Sequence, residues 1–226
     1  MIERMRALTP ETLPDDLPVF PLPGALLLPG GQMPLNIFEP RYLNMVEDAL
    51  AGARLIGMIQ PVHESSAHLV ADGITLYNVG CAGRLNKFQE TGDGRYLVTL
   101  DGLIRFRVAE ELPSRDGYRR VRPDYRTYID DMLNSAPDQP IADRPKLLST
   151  MARYFQANGI EADLSLIENT PDALLVTSLA MTCPLDPGEK QALLECDDTE
   201  QRAALLTRIF EIAGYATDPS QSGKRQ

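Results

Sequence analysis

The sequence predicts an α+β protein in which a β-rich region precedes a helical region. Residues 17–133 contain short β-type runs separated by glycine and proline. Residues 134–216 instead carry apolar side chains at helical spacing. The chain has 226 residues, of which 43% are hydrophobic and 24% charged, so it can bury a core as one large fold or as a domain with a helical appendage.

The β-rich region begins at residue 17 and includes a compact apolar run at 54–61. Gly80 and Gly83 predict a bend in the next strand, residues 74–88, and residues 91–94 supply turn residues. Asp101-Gly102 predicts a second hairpin turn, after which Ile104, Phe106 and Val108 alternate with Arg105 and Arg107 as a strand with one wet face. Residues 118–129 predict a further strand that Pro123 interrupts or edges. These strands indicate a small barrel or a pair of curled sheets.

One helix interrupts the β-rich region. Pro40 suits a first helical position, and Glu39 before it favours the positive end of the helix. The apolar residues that follow have helical spacing, and Gly52 marks the end: Tyr42, Leu43, Val46 and Leu50.

The helical region follows a linker-like stretch at 134–145. Leu147, Met151 and Phe155 share one helix face that Gly159 ends, and a second helix starts at Thr170-Pro171 and stops at Pro184. Two more helices begin at caps, Asp186 with Glu189 and Asp198 with Gln201, and the last stops at Gly214. Four helices predict a bundle over 134–216. Residues 1–16 and 217–226 are expected to be flexible.

Composition restricts the class of protein. With 22 basic and 32 acidic side chains the net charge is −10, which argues against nucleic-acid binding. The sequence shows neither a membrane-spanning apolar run nor a signal-peptide pattern, and its three cysteines have no CxxC spacing, so we expect a cytoplasmic protein with reduced thiols and no membrane association.

Motifs for catalysis are absent from the sequence. No glycine-rich loop ends in Gly-Lys-Ser/Thr, no GxSxG is present, and His63 and His68 do not have the spacing of a helical zinc pair. Cys81 lies in an apolar run typical of a packed core cysteine. We therefore predict no catalytic residue, no metal and no cofactor. A hydrolase that uses His63 is the weakest alternative.

The only basic concentration gives a stronger alternative. Seven arginines lie within 105–126, interleaved with aromatic residues, as an RNA-binding surface requires. Acidic neighbours dilute this charge, so salt bridges are the competing interpretation. The seven are Arg105, Arg107, Arg115, Arg119, Arg120, Arg122 and Arg126.

Three stretches of the sequence together match a known family. LPVFPLPGALLLPGGQMPLNIFEPRYLNMVEDAL (17–50), LYNVGCAGRL (76–85) and GRYLVTLDGLIRFRV (94–108) resemble the amino-terminal substrate-binding domain of the Lon protease. The later EKQALLE (189–195) is similar to the helical appendage of that family, so the resemblance covers about residues 15–214.

The resemblance implies a PUA-like β pseudo-barrel with one inserted helix, followed by a C-terminal α-helical bundle. It also implies a stand-alone Lon amino-terminal-like protein, without ATPase or protease modules, that binds unfolded or extended polypeptide in protein quality control. A protease or a chaperone is the partner to expect, and any peptidase label would be inherited from the family.

A binding rim is predicted around the FEPRY run. We expect Phe38 to anchor the strand end in the core, and Arg41 and Tyr42 to project from the first helical turn. These residues either lock the helix onto the barrel or form the rim of a groove with an exposed apolar patch from residues 25–35. The candidate binding residues are Leu27, Leu28, Met33, Phe38, Glu39, Arg41 and Tyr42.

Overall fold

The structure is a computed structural model that describes residues 9–62, 74–133, 140–161, 167 and 169–216. The chain divides into two compact units, residues 1–135 and 136–226. This division falls two residues from the predicted boundary between 133 and 134. His63 and His68, residues 134–139 of the predicted linker and the final ten residues lie outside the described residues.

The first unit is built on a six-stranded sheet in the order β2-β5-β4-β3-β1-β6. A helix, α1 (Pro40–Ala51), connects β2 to β3, and a short helix, α2 (Asp130–Leu133), follows β6. The strands are β1 (Leu17–Pro21), β2 (Gln32–Ile37), β3 (Leu55–Ile59), β4 (Val79–Glu90), β5 (Tyr96–Arg115) and β6 (Tyr118–Asp124).

The sheet closes on itself through β5. The first half of this 20-residue strand lies between β2 and β4, and its second half pairs with β4 and then with β6. Because β6 also pairs with β1, the strands β5, β4, β3, β1 and β6 form a ring, and β2 extends from it as an edge. The region is therefore mixed α+β, whereas the PUA-like label stays a prediction.

The core of this unit lies inside the ring. All five residues of β3 are buried, and the side chain of Phe106 on β5 is fully buried beside them. Two glycines leave room for the phenyl ring of Phe106. A Cβ at Gly80 would lie 2.6 Å from the Phe106 Cζ, and a Cβ at Gly57 would lie 2.9 Å from the same atom. The helix α1 begins at Pro40 and is followed by Gly52, as predicted.

The prediction of a hairpin turn at Asp101-Gly102 is wrong. Both residues lie within β5, and the register shift opposite Gly83 makes this point a bulge rather than a chain reversal. A Cβ on Gly102 would lie 1.9 Å from the carbonyl oxygen of Leu28, so glycine serves close backbone approach here. The hairpin between β5 and β6 instead turns at Asp116 and Gly117, both of which have positive φ.

The second unit contains four described helices of eight or more residues, namely α3 (Arg144–Asn158), α4 (Asp172–Thr182), α5 (Pro187–Glu195) and α6 (Thr199–Ala216). Gly159 ends α3 in the left-handed conformation, and Asp186 with Glu189 forms the predicted capping box of α5. The predicted stop at Gly214 is wrong, since α6 continues to residue 216; a helix tolerates an internal glycine at about 1 kcal/mol.

The helix α6 packs against α3, α4 and α5. Tyr154 of α3 stacks on Phe210 of α6 with 4.6 Å between ring centroids, and Leu147 and Leu206 are fully buried. The buried Arg202 donates from Nε to the carbonyl oxygen of Leu193, which holds the end of α5. Classification of this unit as a bundle stays a prediction. Among the described residues, no helix combines the length and apolar character that a membrane crossing requires.

Candidate functional site

The FEPRY turn, residues 38–42, contains a set of side-chain contacts at the start of α1 that we call the lock. The Arg41 guanidinium donates from Nε (3.0 Å) and Nη2 (2.8 Å) to Oε2 of Glu39 and lies 4.4 Å from the ring centroid of Tyr42. Tyr42 is buried against Phe20, with ring centroids 4.2 Å apart. Burial raises the pKa of Tyr42. Arg41 therefore points to a carboxylate and Tyr42 to Phe20 of β1, in agreement with the locking interpretation.

Phe38, at the N-terminal side of this lock, is not a core anchor. Its side chain is 61% exposed, so the prediction that it is buried at the strand end is wrong. The guanidinium of Arg95 lies 5.9 Å from the Phe38 ring centroid. The alternation of β2 explains the exposure, because Ile37 already supplies the last inward side chain of the strand.

The expected apolar patch from residues 25–35 is largely inside the fold. Leu27 and Leu28 are 1% and 0% exposed, so for them the prediction of an exposed rim is wrong. The reason is local: their segment crosses β5 at Gly102, and the side chain of Leu27 lies against Gly83. Met33 on β2 is half-buried. Binding roles for Met33, Phe38, Glu39, Arg41 and Tyr42 stay predictions.

A shallow groove of about 450 Å³ lies across β2, β5 and β4. Residues that face one another in an antiparallel pair lie on the same side of a sheet. Two such rows border this groove, and between them runs the row of Leu35, Val98 and Phe88, whose side chains point to the other side. We name this surface the β2–β5–β4 groove. Its side chains come from Pro34, Thr99 and Lys87 in one row and from Asn36, Leu97 and Gln89 in the other.

The groove combines apolar and polar chemistry. Leu97 is 42% exposed, which is unusual for a leucine in a central strand, and Pro34 adds a second apolar surface. Asn36 and Gln89 provide amide donors and acceptors, and Lys87 adds a positive charge. This set suits a polypeptide, whose backbone needs both donors and acceptors and whose side chains include apolar groups.

An aromatic pair lies on the opposite side of the same three strands. Phe88 is 42% exposed and meets Tyr96 edge to face, with 4.9 Å between centroids. The Tyr96 hydroxyl donates to Oε1 of Glu47 at 2.6 Å, and this bond raises the pKa of Tyr96 to about 12. The bond joins β5 to α1, so the aromatic pair is held against the helix that follows the FEPRY turn.

The arginine-rich segment is not a free basic surface. Arg105 was predicted to face water, but it is buried. It donates to Asp131 from Nε at 2.9 Å and from Nη2 at 2.8 Å. Burial alone would lower the pKa of Arg105, but the hydrogen bonds to Asp131 outweigh this effect and the pKa is raised. Arg107 lies 5.8 Å from the ring centroid of Tyr128. The other five arginines form ion pairs with carboxylates: Arg115 with Asp48, Arg119 with Glu111, Arg120 with Asp16, Arg122 with Glu110 and Arg126 with Asp124. No observation therefore favours the RNA alternative.

The part of the chain that the structure describes contains no cluster of side chains suited to a metal ion. Within the described ranges, no three His, Cys, Asp or Glu side chains stand close enough together to hold a metal ion. Cys81 is fully buried, as predicted, and burial raises the pKa of Cys183 to about 11. The hydrolase alternative depends on His63, which lies outside the described residues.

Phe88, Leu97 and Lys87 were not predicted from the sequence. Strand alternation contains the signal for Leu97, because burial of Val98 and Leu100 requires the neighbouring Leu97 and Thr99 to point to the other side of β5. For Phe88 the signal was weaker, because it follows a register shift between Leu85 and Lys87 that resets which side of β4 each residue faces.

Comparison with known proteins gives a consistent result. The family model of the ATP-dependent protease La (LON) substrate-binding domain matches residues 16–211. The Lon protease of Flavobacterium johnsoniae is 25% identical over 214 residues, which is 89% of this chain and 24% of that protein. Lon protease 2 of Myxococcus xanthus is 28% identical over 204 residues, 88% of this chain and 24% of that protein. The chain thus spans about a quarter of the length of the curated relatives it matches.

Solved structures share the fold. A Lon N-terminal domain protein from Xanthomonas campestris superposes with a TM-score of 0.54 at 26% identity, over 85% of this chain and 97% of that one. The N-terminal domain of Lon protease from the Mycobacterium avium complex gives a TM-score of 0.57 over 87% and 98%, and at 14% identity it supports the fold alone. Because the family model covers most of the chain, the protein belongs to the Lon substrate-binding domain family.

Proposed function

We propose that the β-rich unit binds unfolded or extended polypeptide at the β2–β5–β4 groove and at Phe38 beside it. One observation supports the proposal. Two large hydrophobic side chains are exposed here: Leu97, which is 42% exposed and pairs with Asn36, and Phe38, which is 61% exposed and follows Asn36 by two residues. Exposed apolar groups that lie close together are typical of interaction surfaces, whereas scattered ones are not.

The family relationship supports the same function, since the matched model is named for substrate binding. On this proposal the protein acts without catalysis, as a PUA-like barrel with a helical bundle, in the cytoplasm. Its role in protein quality control would be to hold polypeptides for a protease or chaperone partner. Affinity for one segment should be micromolar or weaker, because a groove of this size buries less area than a standard protein interface.

A permanently unfolded client tests the proposal. Reduced, carboxymethylated and fluorescein-labelled α-lactalbumin should raise its anisotropy on titration with the protein, while the native disulfide-bonded form should not. Leu97→Asp should weaken binding by about tenfold, the effect of losing one central apolar contact.

The matched control uses another exposed leucine. Leu133 is 63% exposed on α2, which contacts β5 at Arg105 and not at the groove residues 97–99, so Leu133→Asp should leave affinity within about twofold. Equal affinity for the unfolded and native forms, or an equal effect of the two substitutions, would contradict the proposal. Circular dichroism of both variants establishes that each is folded.

A further inference from the structure

The strand β2 has one open edge. It pairs with β5 on one side, and no other described strand pairs with it. An unpaired edge presents backbone donors and acceptors in a row, which another extended chain can complete. The side chains of Gln32, Pro34 and Asn36 are all exposed, so the strand is accessible from the groove side.

The register shows which backbone groups point outward. Gly31 is opposite Gly102 in the continuation of the β2–β5 register, and the Gly102 N–H donates to the Gly31 carbonyl oxygen at 2.8 Å. In an antiparallel pair, such bonded residues alternate with residues whose N–H and C=O point away. The groups of Gln32, Pro34 and Asn36 therefore point to the open edge, which also places Pro34, with no N–H, where it removes no bond to β5.

The open edge is complementary to a polypeptide backbone. It presents the carbonyl oxygens of Gln32, Pro34 and Asn36 and the N–H groups of Gln32 and Asn36. Only a polypeptide supplies donors and acceptors that alternate at the same spacing. A strand added here would place every second side chain beside the groove residues Pro34 and Asn36, and the intervening ones beside Met33 and Leu35.

Pro34 decides between a client chain and a second copy of this protein. Two copies paired antiparallel through β2 would each bring Pro34 into the new ladder, so two hydrogen bonds would be lost. A client segment without proline loses only one. Proline on an edge strand is a known means of preventing self-association, and here it disfavours the homodimer more than the client.

We propose that an extended polypeptide segment with apolar residues at alternate positions adds to the sheet along the open edge of β2. This inference rests on the proposed function and specifies how the client is held. The recognition is through the backbone, so many sequences bind, while the apolar groups flanking the edge select segments that a folded protein would bury.

Backbone N-methylation of a ligand tests this mode. The probe is a short fluorescein-labelled peptide of alternating leucine and serine, compared with versions that carry one N-methyl group each. Methylation should weaken binding roughly three- to tenfold at every second residue, whose N–H donates to β2, and little at the residues between. Loss of affinity with a period of two supports strand addition; an effect that is absent or equal at all positions overturns it.

A variant pair in the protein tests the same bond from the other side. Asn36→Pro removes an outward N–H, whereas Asn36→Ala removes only the side chain and is the matched control. Asn36→Pro should bind the probe roughly three- to tenfold more weakly than Asn36→Ala; equal affinity of the two folded variants overturns the inference. If Asn36→Pro does not fold, the methylation series decides alone.

The outcomes separate this inference from the proposed function. If the unmethylated peptide and the unfolded client both fail to bind, the proposed function fails and the inference with it. If both bind without periodic sensitivity, only strand addition fails. A dimer in solution that Asn36→Pro converts to monomer would assign the edge to a second copy and overturn the inference.

Discussion

Removal of the Asp131 carboxylate should destabilise the β-rich unit strongly. Asp131 accepts a hydrogen bond from the Arg105 backbone N–H at 2.9 Å, besides the two from its guanidinium. The two side chains are only 5% and 10% exposed, and the Tyr128 ring lies 4.4 Å from the guanidinium carbon of Arg105. Asp131→Ala would therefore leave a cation in a site that water hardly reaches.

The magnitude follows from this burial. Deleting one partner of a buried ion pair costs about 3–5 kcal/mol, because the remaining charge stays desolvated. Amide hydrogen exchange of β5 is the suitable assay, since the chain has two compact units and exchange reports the unit that contains the pair. The most protected amides of β5 should exchange on the order of a hundred- to a thousandfold faster in the variant.

Two control variants test whether burial of the charge causes the loss of stability. Replacing both partners, Arg105→Met with Asp131→Leu, should restore most of the protection, because no buried charge remains. Glu110→Ala breaks the exposed pair with Arg122 and should change the free energy of unfolding by less than about 1 kcal/mol. If Asp131→Ala costs no more than Glu110→Ala, the site is hydrated and our account of it is wrong.

Two further predictions concern the stability of the same unit. Gly102→Ala should lower the free energy of unfolding, measured in urea, by about 1–3 kcal/mol, because its Cβ would meet the Leu28 carbonyl. Gly92→Ala is the control, since no atom lies near its Cβ, and it should change the free energy of unfolding by less than about 0.5 kcal/mol. Equal effects of the two substitutions would contradict the close approach. Burial and a hydrogen bond to Asp48 raise the pKa of Tyr118 to about 12 from about 10 in an unfolded chain, so its stabilisation is complete below pH 10 and lost up to pH 12. Tyr118→Phe should make the fall in stability over that window shallower in a urea series, and an unchanged slope would refute this origin.

Helix ends were predictable because their signals are local. Pro40 at a first helical position and the capping box at Asp186 each need only residues within one turn. The same holds for Gly159, which ends α3 with a positive φ. Gly214 was wrongly predicted to end α6, because glycine only lowers helix propensity, and the helix continues through this residue.

Asp-Gly turns were not predictable from local sequence alone. The pair at 116–117 reverses the chain, while the pair at 101–102 continues a strand. What differs is the surrounding tertiary structure: at 101–102 the segment of Leu28 crosses the strand within backbone contact, and only glycine fits. That contact joins residues far apart in sequence, so no local pattern contains it.

The proposed groove shares the strand β2 with the rim predicted from the sequence, but most of its residues were not predicted. The run from 25 to 42 contains the exposed Phe38, yet Leu27 and Leu28 are core and Leu97, outside the run, is exposed. Hydrophobicity alone cannot separate these leucines, because strand parity and the crossing of segments decide which side each one faces. Alternation along β5, with Tyr96, Val98 and Leu100 on one side, predicts from the sequence that Leu97 lies on the other.

The lock at the FEPRY turn has a consequence for binding if the proposed function holds. Glu39, Arg41 and Tyr42 fix the point where β2 passes into α1, and β2 is otherwise held by a single neighbouring strand. A strand edge that is already extended requires little further ordering when a partner chain adds to it, so more of the interaction energy appears as affinity. These three residues would then assist binding without touching the ligand. Their loss should weaken binding in step with faster amide exchange of β2, whereas loss of Leu97 should weaken binding with exchange unchanged.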